Sequence, residues 1–192
     1  MVELILGGAR SGKSRLAEQR ALDWQASGRR VVYVATAQAG DAEMAARIAQ
    51  HRAGRPAEWR TVEVTLTLAE TLRQEAAADS GVVVDCLTLW LSNLFFAGRA
   101  AAQAEAGERI ACELLEREVD ALAATLPRLA GEVVLVSNEI GCGVVPMNAV
   151  ARSFADRQGW LNQQIAGLAA RVTLVAAGLP LALKQQATGR GV

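Results

Sequence analysis

Short apolar runs alternate with amphipathic stretches along most of the 192 residues. The apolar runs are rich in Val, Leu and Ile and almost uninterrupted, which is typical of strands buried on both faces of a parallel sheet. A short strand is also predicted at 61–64, and an edge strand at 179–183 because Pro180 cannot donate a hydrogen bond within a central strand. The other strands are predicted at 4–6, 30–35, 81–85, 132–137 and 171–177.

Helical spacing of apolar residues predicts helices between these strands. They are expected at 14–22, 41–52, 67–77, 104–129 and 150–168. Strands that alternate with helices imply βαβ units, so we expect an α/β fold with a mainly parallel central sheet. One domain is predicted over residues 1–184, followed by a loose tail at 185–192.

Residues 87–96 are very apolar and contain Trp90, Phe95 and Phe96. Packing in the core is the default interpretation of such a segment. A subunit interface or a site for a large apolar ligand is the alternative.

A glycine-rich segment follows the first predicted strand and has the pattern G-x-x-x-x-G-K-[ST]. In such a loop, backbone amides curl around the phosphates of a nucleotide, the lysine contacts the outer phosphates, and the last hydroxyl is a ligand of Mg²⁺. A chance match in a glycine-rich turn is the alternative, but a strand before the loop and a helix after it favour a phosphate-binding site. The segment consists of Gly7, Gly8, Ala9, Arg10, Ser11, Gly12, Lys13 and Ser14.

Three further segments end predicted strands. Ligands of parallel α/β sheets gather at the carboxyl ends of the strands. The phosphate loop, residues 35–37, Asp85 and residues 137–139 are therefore expected to converge. Asp85 has the position of the second acid of a phosphate-loop NTPase, which holds Mg²⁺ directly or through water. An N-cap aspartate of the next helix is the alternative.

His51 is the only histidine in the chain. A neutral imidazole can take up a phosphoryl or nucleotidyl group covalently. His51 shares a predicted helix face with Met44 and Ile48, however, so the spacing by itself favours a packed histidine over a catalytic one.

Charged residues near His51 also have two interpretations each. Guanidinium groups clamp phosphates in bidentate fashion or cover a solvated helix face, and the candidates are Arg47, Arg52 and Arg55. Glu63 ends a predicted strand and either accepts hydrogen bonds from a base or sugar or is an ordinary exposed carboxylate.

Composition argues against several classes of protein. Lys+Arg and Asp+Glu are both 20, and the zero net charge argues against nucleic acid as the main partner. No apolar run has the roughly 20 residues of a membrane span, and the start lacks the basic region of a signal peptide. Cys86, Cys112 and Cys142 lack metal-type spacing and are interpreted as reduced thiols of a cytoplasmic protein, with Cys142 expected to be a small buried residue.

Together these residues resemble the bifunctional adenosylcobinamide kinase/adenosylcobinamide-phosphate guanylyltransferase family of cobalamin biosynthesis. The resemblance extends over about residues 4–184 and rests on the segments 7–14, 33–37, 41–61 and 136–148. A phosphate loop is common to many families. A histidine followed by Arg-Ala-Gly-Arg-Pro and then by Trp-Arg-Thr is far more specific.

The resemblance implies a RecA-type phosphate-loop NTPase fold in three layers, a homotrimer, Mg²⁺ and two reactions. ATP or GTP first phosphorylates the hydroxyl of adenosylcobinamide. GTP then guanylylates a histidine, and the GMP moves to adenosylcobinamide phosphate to give adenosylcobinamide-GDP. The family's nucleophile corresponds to His51, Lys13 is the catalytic lysine, and the metal ligands are Ser14 and Asp85. The nucleotide contacts correspond to residues 7–14 and to Ala35, Thr36, Ala37, Arg52, Ala53, Gly54, Arg55, Glu63 and Asp85.

Two other functions stay open on the residues alone. A phosphate-loop kinase of another pathway would leave His51 with a structural role. A RecA-type binding module would hydrolyse nucleotide slowly and respond to a protein or DNA partner, although the zero net charge argues against DNA.

Overall fold

Seven strands form one sheet in the computed structural model, which describes residues 1–38 and 42–185. They lie in the order β3-β2-β4-β5-β1-β6-β7, and all neighbouring pairs are parallel except β6 and β7. The predicted parallel α/β sheet is confirmed, including the edge position of the strand that contains Pro180. The strands are β1 (Val2–Gly7), β2 (Arg30–Ala35), β3 (Arg60–Glu63), β4 (Ser80–Asp85), β5 (Glu132–Asn138), β6 (Arg171–Ala176) and β7 (Leu179–Gln185).

Helices connect most of the strands. In the part of the chain described, they are α1 (Lys13–Ala26), α2 (Ala42–Ala53), α3 (Leu68–Glu75), α4 (Leu87–Ala97), α5 (Ala100–Glu105), α6 (Glu113–Thr125) and α7 (Ala149–Leu168), with a 3-10 turn at Leu126–Arg128. None of the helices among the described residues is both long and apolar enough to span a bilayer. Of the tail predicted at 185–192, Gln185 is the last residue of β7, and the others lie outside the described residues.

The single helix predicted at 104–129 is wrong, because the chain stops helix α5 and starts again at α6. Gly107 has φ +70° directly after the C-cap residue Ala106. Its N–H bonds to the carbonyl of Ala104, and the N–H of Glu108 bonds to that of Gln103. These two bonds form the Schellman motif, which ends a helix with a left-handed glycine. The apolar spacing predicted the helical parts but did not reveal the glycine stop.

Helices cover both faces of the sheet, which gives the three predicted layers. Alternate residues of each central strand belong to different core clusters, as Leu4 and Ile5 show in β1. The cluster around Ile5 includes Ala17, Ala21 and Trp24 of α1. The cluster around Leu4 includes residues of α3, α4, α6 and α7. The apolar runs reflect this burial on two faces, and the phosphate-loop NTPase fold is confirmed.

The apolar segment at 87–96 forms helix α4 and packs in the core of its own chain. Trp90, Leu91, Leu94 and Phe95 are fully or almost fully buried, whereas Phe96 is 64% exposed. The default interpretation is therefore confirmed. The alternative of a subunit interface is wrong for the four buried side chains, because a single chain already covers them.

The three cysteines are free thiols. Cys86 and Cys112 are buried, but Cys142 is exposed, so the expectation of a small buried residue at position 142 is wrong. A small side chain between two glycines fits a surface loop as well as a core, and the sequence does not distinguish the two.

The packing of α1 on β4 yields a stability prediction. A Cβ atom at Gly81 would lie 2.5 Å from Cδ2 of the Trp24 ring, whereas one at Gly159 in α7 would meet nothing within 4 Å. Gly81→Ala should lower the free energy of unfolding by about 1–3 kcal/mol through overpacking. Gly159→Ala, the matched control, should raise it by about 0.5–1 kcal/mol because glycine weakens a helix interior. Urea denaturation measures both changes, and equal effects of the two variants would contradict this packing.

Candidate active site

The phosphate loop leaves β1 at Gly7, where the backbone has no room for a side chain. A Cβ atom there would lie 2.6 Å from Oγ of Ser11 and collide with the carbonyl oxygen of Val175. At the other end of the loop, Gly12 is the N-cap of α1 and has φ +102°, a conformation that favours glycine. Helix α1 begins at Lys13, so its first turn directly continues the loop, as anion binding at a helix N-terminus requires.

Lys13 is buried within the loop. The residue is 7% exposed, and its Nζ donates a hydrogen bond to the carbonyl oxygen of Gly8 at 2.6 Å. Burial lowers the pKa of Lys13, and the neighbouring Cys86 and Asp85 oppose this shift. Oγ of Ser11 is also buried and has no hydrogen-bond partner among the described residues. A buried ammonium and an unpaired hydroxyl fit an anionic ligand.

The turn between β6 and β7 supports the phosphate loop from the side. The N–H of Gly178 donates to the carbonyl oxygen of Ser11 at 2.8 Å. Ala177 and Gly178 have φ of +52° and +81°, as in a two-residue hairpin loop with two left-handed residues. Sequence reasoning missed this support, because only the Ala-Gly pair between two strands indicates the turn and nothing in the sequence indicates its contact with Ser11.

Asp85 ends β4 level with Ala35 at the end of β2. Its Oδ2 accepts a hydrogen bond from the hydroxyl of Tyr33 at 2.7 Å. Burial, and next the charge of Asp85, raises the pKa of Tyr33 well above its ordinary value, so the hydroxyl remains a donor. The N-cap of α4 is Cys86, so the alternative interpretation of Asp85 as the helix N-cap is wrong. Tyr33 is a second residue that sequence reasoning did not assign to the site, because it resembles any apolar strand residue.

Thr36 is fully buried and bonded to the backbone of Cys86. Its Oγ1 donates to the carbonyl oxygen of Cys86 at 2.7 Å and accepts from the N–H of the same residue at 2.8 Å. Burial, and next the charge of Asp85, raises the pKa of Cys86 to about 12, so this cysteine stays a thiol at neutral pH. The hydroxyl of Thr36 thus joins β2 to β4, and nucleotide contact at Ala35, Thr36 and Ala37 stays a prediction.

The end of α2 is attached to the strands by two arginines. The guanidinium carbon of Arg55 lies 3.4 Å from the centroid of the Tyr33 ring, a cation–π contact. Nε of Arg55 is buried and has no hydrogen-bond partner among the described residues. Arg52 forms an ion pair with Glu63 at the end of β3. Arg55 therefore joins Tyr33 and Asp85 in one cluster, whereas Arg52 and Glu63 form a more exposed pair beside it.

His51 lies in helix α2, two residues before the helix ends at Ala53. Its side chain and that of Arg47 are outside the part of the chain that the structure describes. The nucleophilic role of His51 and a phosphate clamp at Arg47 therefore stay predictions. Ala53 and Gly54 are exposed and precede Arg55 directly.

The end of β5 lies beside the phosphate loop, as predicted. Asn138 is level with Gly7, and the N–H of Glu139 donates to the carbonyl oxygen of Gly7 at 3.0 Å. The hydroxyl of Ser137 donates to Oδ1 of Asn162 in α7 at 2.7 Å, inside the protein. The four segments expected at the carboxyl edge of the sheet thus converge, and Ser137 attaches β5 to α7.

Comparison with known proteins identifies the family of this chain. The model of the family described as CobU, cobinamide kinase / cobinamide phosphate guanyltransferase, matches residues 3–183. The chain belongs to this family. The family resemblance found in the sequence is therefore confirmed, and with it an enzyme of the kinase and guanyltransferase class. The two alternatives, a kinase of another pathway and a nucleotide-dependent binding module, receive no support.

Individual members of the family match over almost their whole length. The chain is 52% identical over 184 residues to the bifunctional adenosylcobalamin biosynthesis protein CobP of Pseudomonas aeruginosa. This match covers 96% of this chain and 98% of the relative. It is 42% identical over 185 residues to the bifunctional adenosylcobalamin biosynthesis proteins CobU of Salmonella typhimurium and Escherichia coli. These two matches cover 96% of this chain and all of each relative.

The residues present fit a magnesium ion that is bound mainly by a nucleotide. No group of three or more His, Cys, Asp or Glu side chains that could hold a metal occurs among the described residues. Mg²⁺ in nucleotide sites typically rests on one or two protein oxygens, substrate phosphates and water. This arrangement needs two protein oxygens. Asp85, which accepts a hydrogen bond from Tyr33, and the half-buried Ser14 in the first turn of α1 would supply them.

The bond from Tyr33 to Asp85 yields a prediction about metal dependence. Tyr33→Phe removes the donor that orients the carboxylate but keeps the ring under Arg55. Loss of such an outer partner typically costs 10- to 100-fold, so we expect the Mg²⁺ concentration for half-maximal activity to rise roughly tenfold. A metal titration of nucleotide turnover measures this change.

Thr173→Val is the matched control for this experiment. Thr173 also carries a buried hydroxyl that donates to a carboxylate, Glu3, but away from the phosphate loop. Its loss should leave the Mg²⁺ dependence unchanged. An equal shift in both variants would mean that the effect of Tyr33 comes from general destabilisation.

Proposed function

We propose that this chain phosphorylates adenosylcobinamide with ATP or GTP and then transfers GMP from GTP to adenosylcobinamide phosphate. The product is adenosylcobinamide-GDP, formed through a guanylylated His51. One observation carries the proposal, namely the phosphate loop with the buried Lys13 near Asp85. The hydroxyl of Tyr33 donates to Asp85, and Arg55, four residues after His51, packs on the Tyr33 ring. The names of the relatives, bifunctional adenosylcobalamin biosynthesis proteins, support it.

The kinase step uses the phosphate loop. Backbone amides of residues 8–14 and the ammonium of Lys13 hold the nucleotide phosphates, for which Lys13 exchanges its bond to Gly8 for one to a phosphate oxygen. Ser14 and Asp85 would hold Mg²⁺, which would neutralise part of the phosphate charge. The cobinamide hydroxyl attacks the γ-phosphorus in line, and its proton passes to solvent water. The bond between the γ-phosphorus and the nucleoside diphosphate breaks, and the diphosphate leaves.

The guanylyl step adds a covalent intermediate on the chain. A ring nitrogen of His51 attacks the α-phosphorus of GTP, and pyrophosphate leaves. The positive charge of Lys13 stabilises the leaving pyrophosphate. The phosphate of the acceptor then attacks the same phosphorus, and the N–P bond breaks. A phosphoramidate is a high-energy link, so its transfer to a phosphate acceptor is feasible.

The contacts at the end of α2 support this role of His51. Arg55 packs on Tyr33 in β2, and Arg52 pairs with Glu63 in β3. Both contacts lie within four residues of His51, at the edge of the sheet that contains the phosphate loop. We infer that the same two arginines contact nucleotide phosphates, as the family resemblance implies.

Covalent labelling tests the function directly. The protein is incubated with Mg²⁺ and GTP labelled on the α-phosphate, denatured and digested with trypsin. We expect a label that is labile in acid and stable in alkali, on the peptide of residues 48–52, which contains one histidine and neither lysine nor cysteine. No label under conditions where GTP binds, or label on a different peptide, would contradict the guanylyl-histidine.

Two variants separate the two reactions. His51→Ala should lose the label and the transfer of GMP but retain phosphorylation of adenosylcobinamide by ATP. Lys13→Ala should lose both reactions, because both need the ammonium at the phosphates. A His51→Ala protein without kinase activity but with a normal thermal unfolding curve would contradict the division of roles.

We also propose that the protein is a homotrimer in the cytoplasm. Three exposed leucines on the edge strand β7 support self-association, since exposed apolar edges are usually covered: Leu179, Leu181 and Leu183. Light scattering should give three times the chain mass of 20.3 kDa, and a monomeric mass would contradict the trimer.

The three free cysteines support a reducing compartment, and cell fractionation should find the protein with cytoplasmic enzymes.

A further inference from the structure

Residues 140–147, here named the apolar loop, expose an unusual amount of apolar surface. Val144 is 96% and Met147 is 98% exposed, the highest values among the large hydrophobic side chains that the structure describes. Ile140 and Val145 are exposed as well. Single exposed apolar residues need no explanation, but four within eight residues indicate a surface that binds something.

The apolar loop begins beside the phosphate loop. It follows β5, whose last residue Asn138 is level with Gly7 at the end of β1. The N–H of Glu139, the residue directly before the apolar loop, donates to the carbonyl oxygen of Gly7 at 3.0 Å. The apolar side chains therefore emerge at the carboxyl edge of the sheet, where ligands of parallel α/β folds bind.

Hydrogen bonds at both ends hold the backbone of the apolar loop. A guanidinium nitrogen of Arg152 in α7 donates to the carbonyl oxygens of Pro146 and Met147 at 2.9 and 2.5 Å. At the start of the loop, the N–H of Gly141 donates to a carboxylate oxygen of Glu139 at 2.8 Å. The exposed side chains are thus presented from a held backbone, which reduces the entropy lost when they pack on a ligand.

We propose that the apolar loop is the docking surface for the corrin ring of the cobinamide substrate. This inference rests on the proposed function. The reacting oxygen of that substrate lies at the end of a short arm, so when this oxygen reaches the phosphate loop, the ring lies just outside it. The rim of a corrin ring carries methyl groups between its amide side chains. The exposed apolar side chains beside the phosphate loop match these methyl groups.

Loop variants test the docking surface. Val144→Ser and Met147→Gln remove exposed apolar side chains, so the thermal unfolding temperature should stay unchanged. We expect the KM for adenosylcobinamide phosphate to rise roughly tenfold in the double variant, as loss of apolar burial predicts. Labelling of the enzyme by GTP, which needs no corrinoid, should stay at the level of the unchanged protein.

Leu168→Gln is the matched control. Leu168 is a half-exposed apolar residue at the far end of α7, next to the start of β6 at the opposite edge of the sheet. Its replacement removes exposed apolar surface far from the phosphate loop and should alter neither the KM nor the labelling. An equal rise of the KM in this variant would overturn the assignment to the apolar loop.

The remaining outcomes separate the inference from the proposed function. An unchanged KM in a double variant that GTP still labels would overturn the docking surface and leave the guanylyltransferase intact. A smaller mass of the double variant in light scattering would show that the apolar loop is an interface between copies of the chain, which also overturns the inference. Absence of labelling and of corrinoid turnover in the unchanged protein would refute the proposed function itself.

Discussion

The close approach of backbone around Gly7 is the constraint on which the site depends. Strand β1 lies between β5 and β6, and the register places Asn138 and Val175 level with Gly7. The carbonyl oxygen of Val175 and the side chain of Ser11 fill the space that a Cβ atom would need. A larger residue would therefore either separate β1 from β6 or push the phosphate loop outward. Because Lys13 is buried against this loop, its position follows from the same packing.

The charges at the site are arranged for a ligand that brings negative charge. Burial lowers the pKa of Lys13, and the carboxylate of Asp85 compensates only in part. Nζ of Lys13 donates to the carbonyl oxygen of Gly8, which is a weaker partner than a phosphate oxygen. Among the residues that the structure describes, Oγ of Ser11 and Nε of Arg55 have no hydrogen-bond partner. Unsatisfied buried donors destabilise the protein, and a bound phosphate would remove that cost. These unsatisfied donors lie at the candidate site, so a bound phosphate could satisfy them.

The sequence was informative wherever one local pattern decides the outcome. Apolar runs predicted the strands because both faces of the sheet are buried, and the ends of those strands predicted which segments meet. The sequence pattern did not predict the helix end at Gly107, because the apolar spacing continues on both sides of this residue. The support from Gly178 and the bond from Tyr33 to Asp85 escaped for a different reason. They are tertiary contacts between residues far apart in the chain, and neither a glycine nor a tyrosine predicts such a contact by its residue type.

The two halves of the site differ in what holds them. Backbone packing and strand register hold the phosphate loop, and displacing it would disrupt β1. The described end of α2 is held by side chains, with Arg55 on a tyrosine ring and an exposed ion pair between Arg52 and Glu63. Contacts of these kinds are typically worth about 0.5–2 and about 0–1 kcal/mol respectively. The contacts that hold α2 in its present position are therefore weak. The phosphates of a bound nucleotide would be able to compete for the same two arginines. Such a competition would let one phosphate loop take part first in phosphoryl transfer and then in the proposed attack by His51.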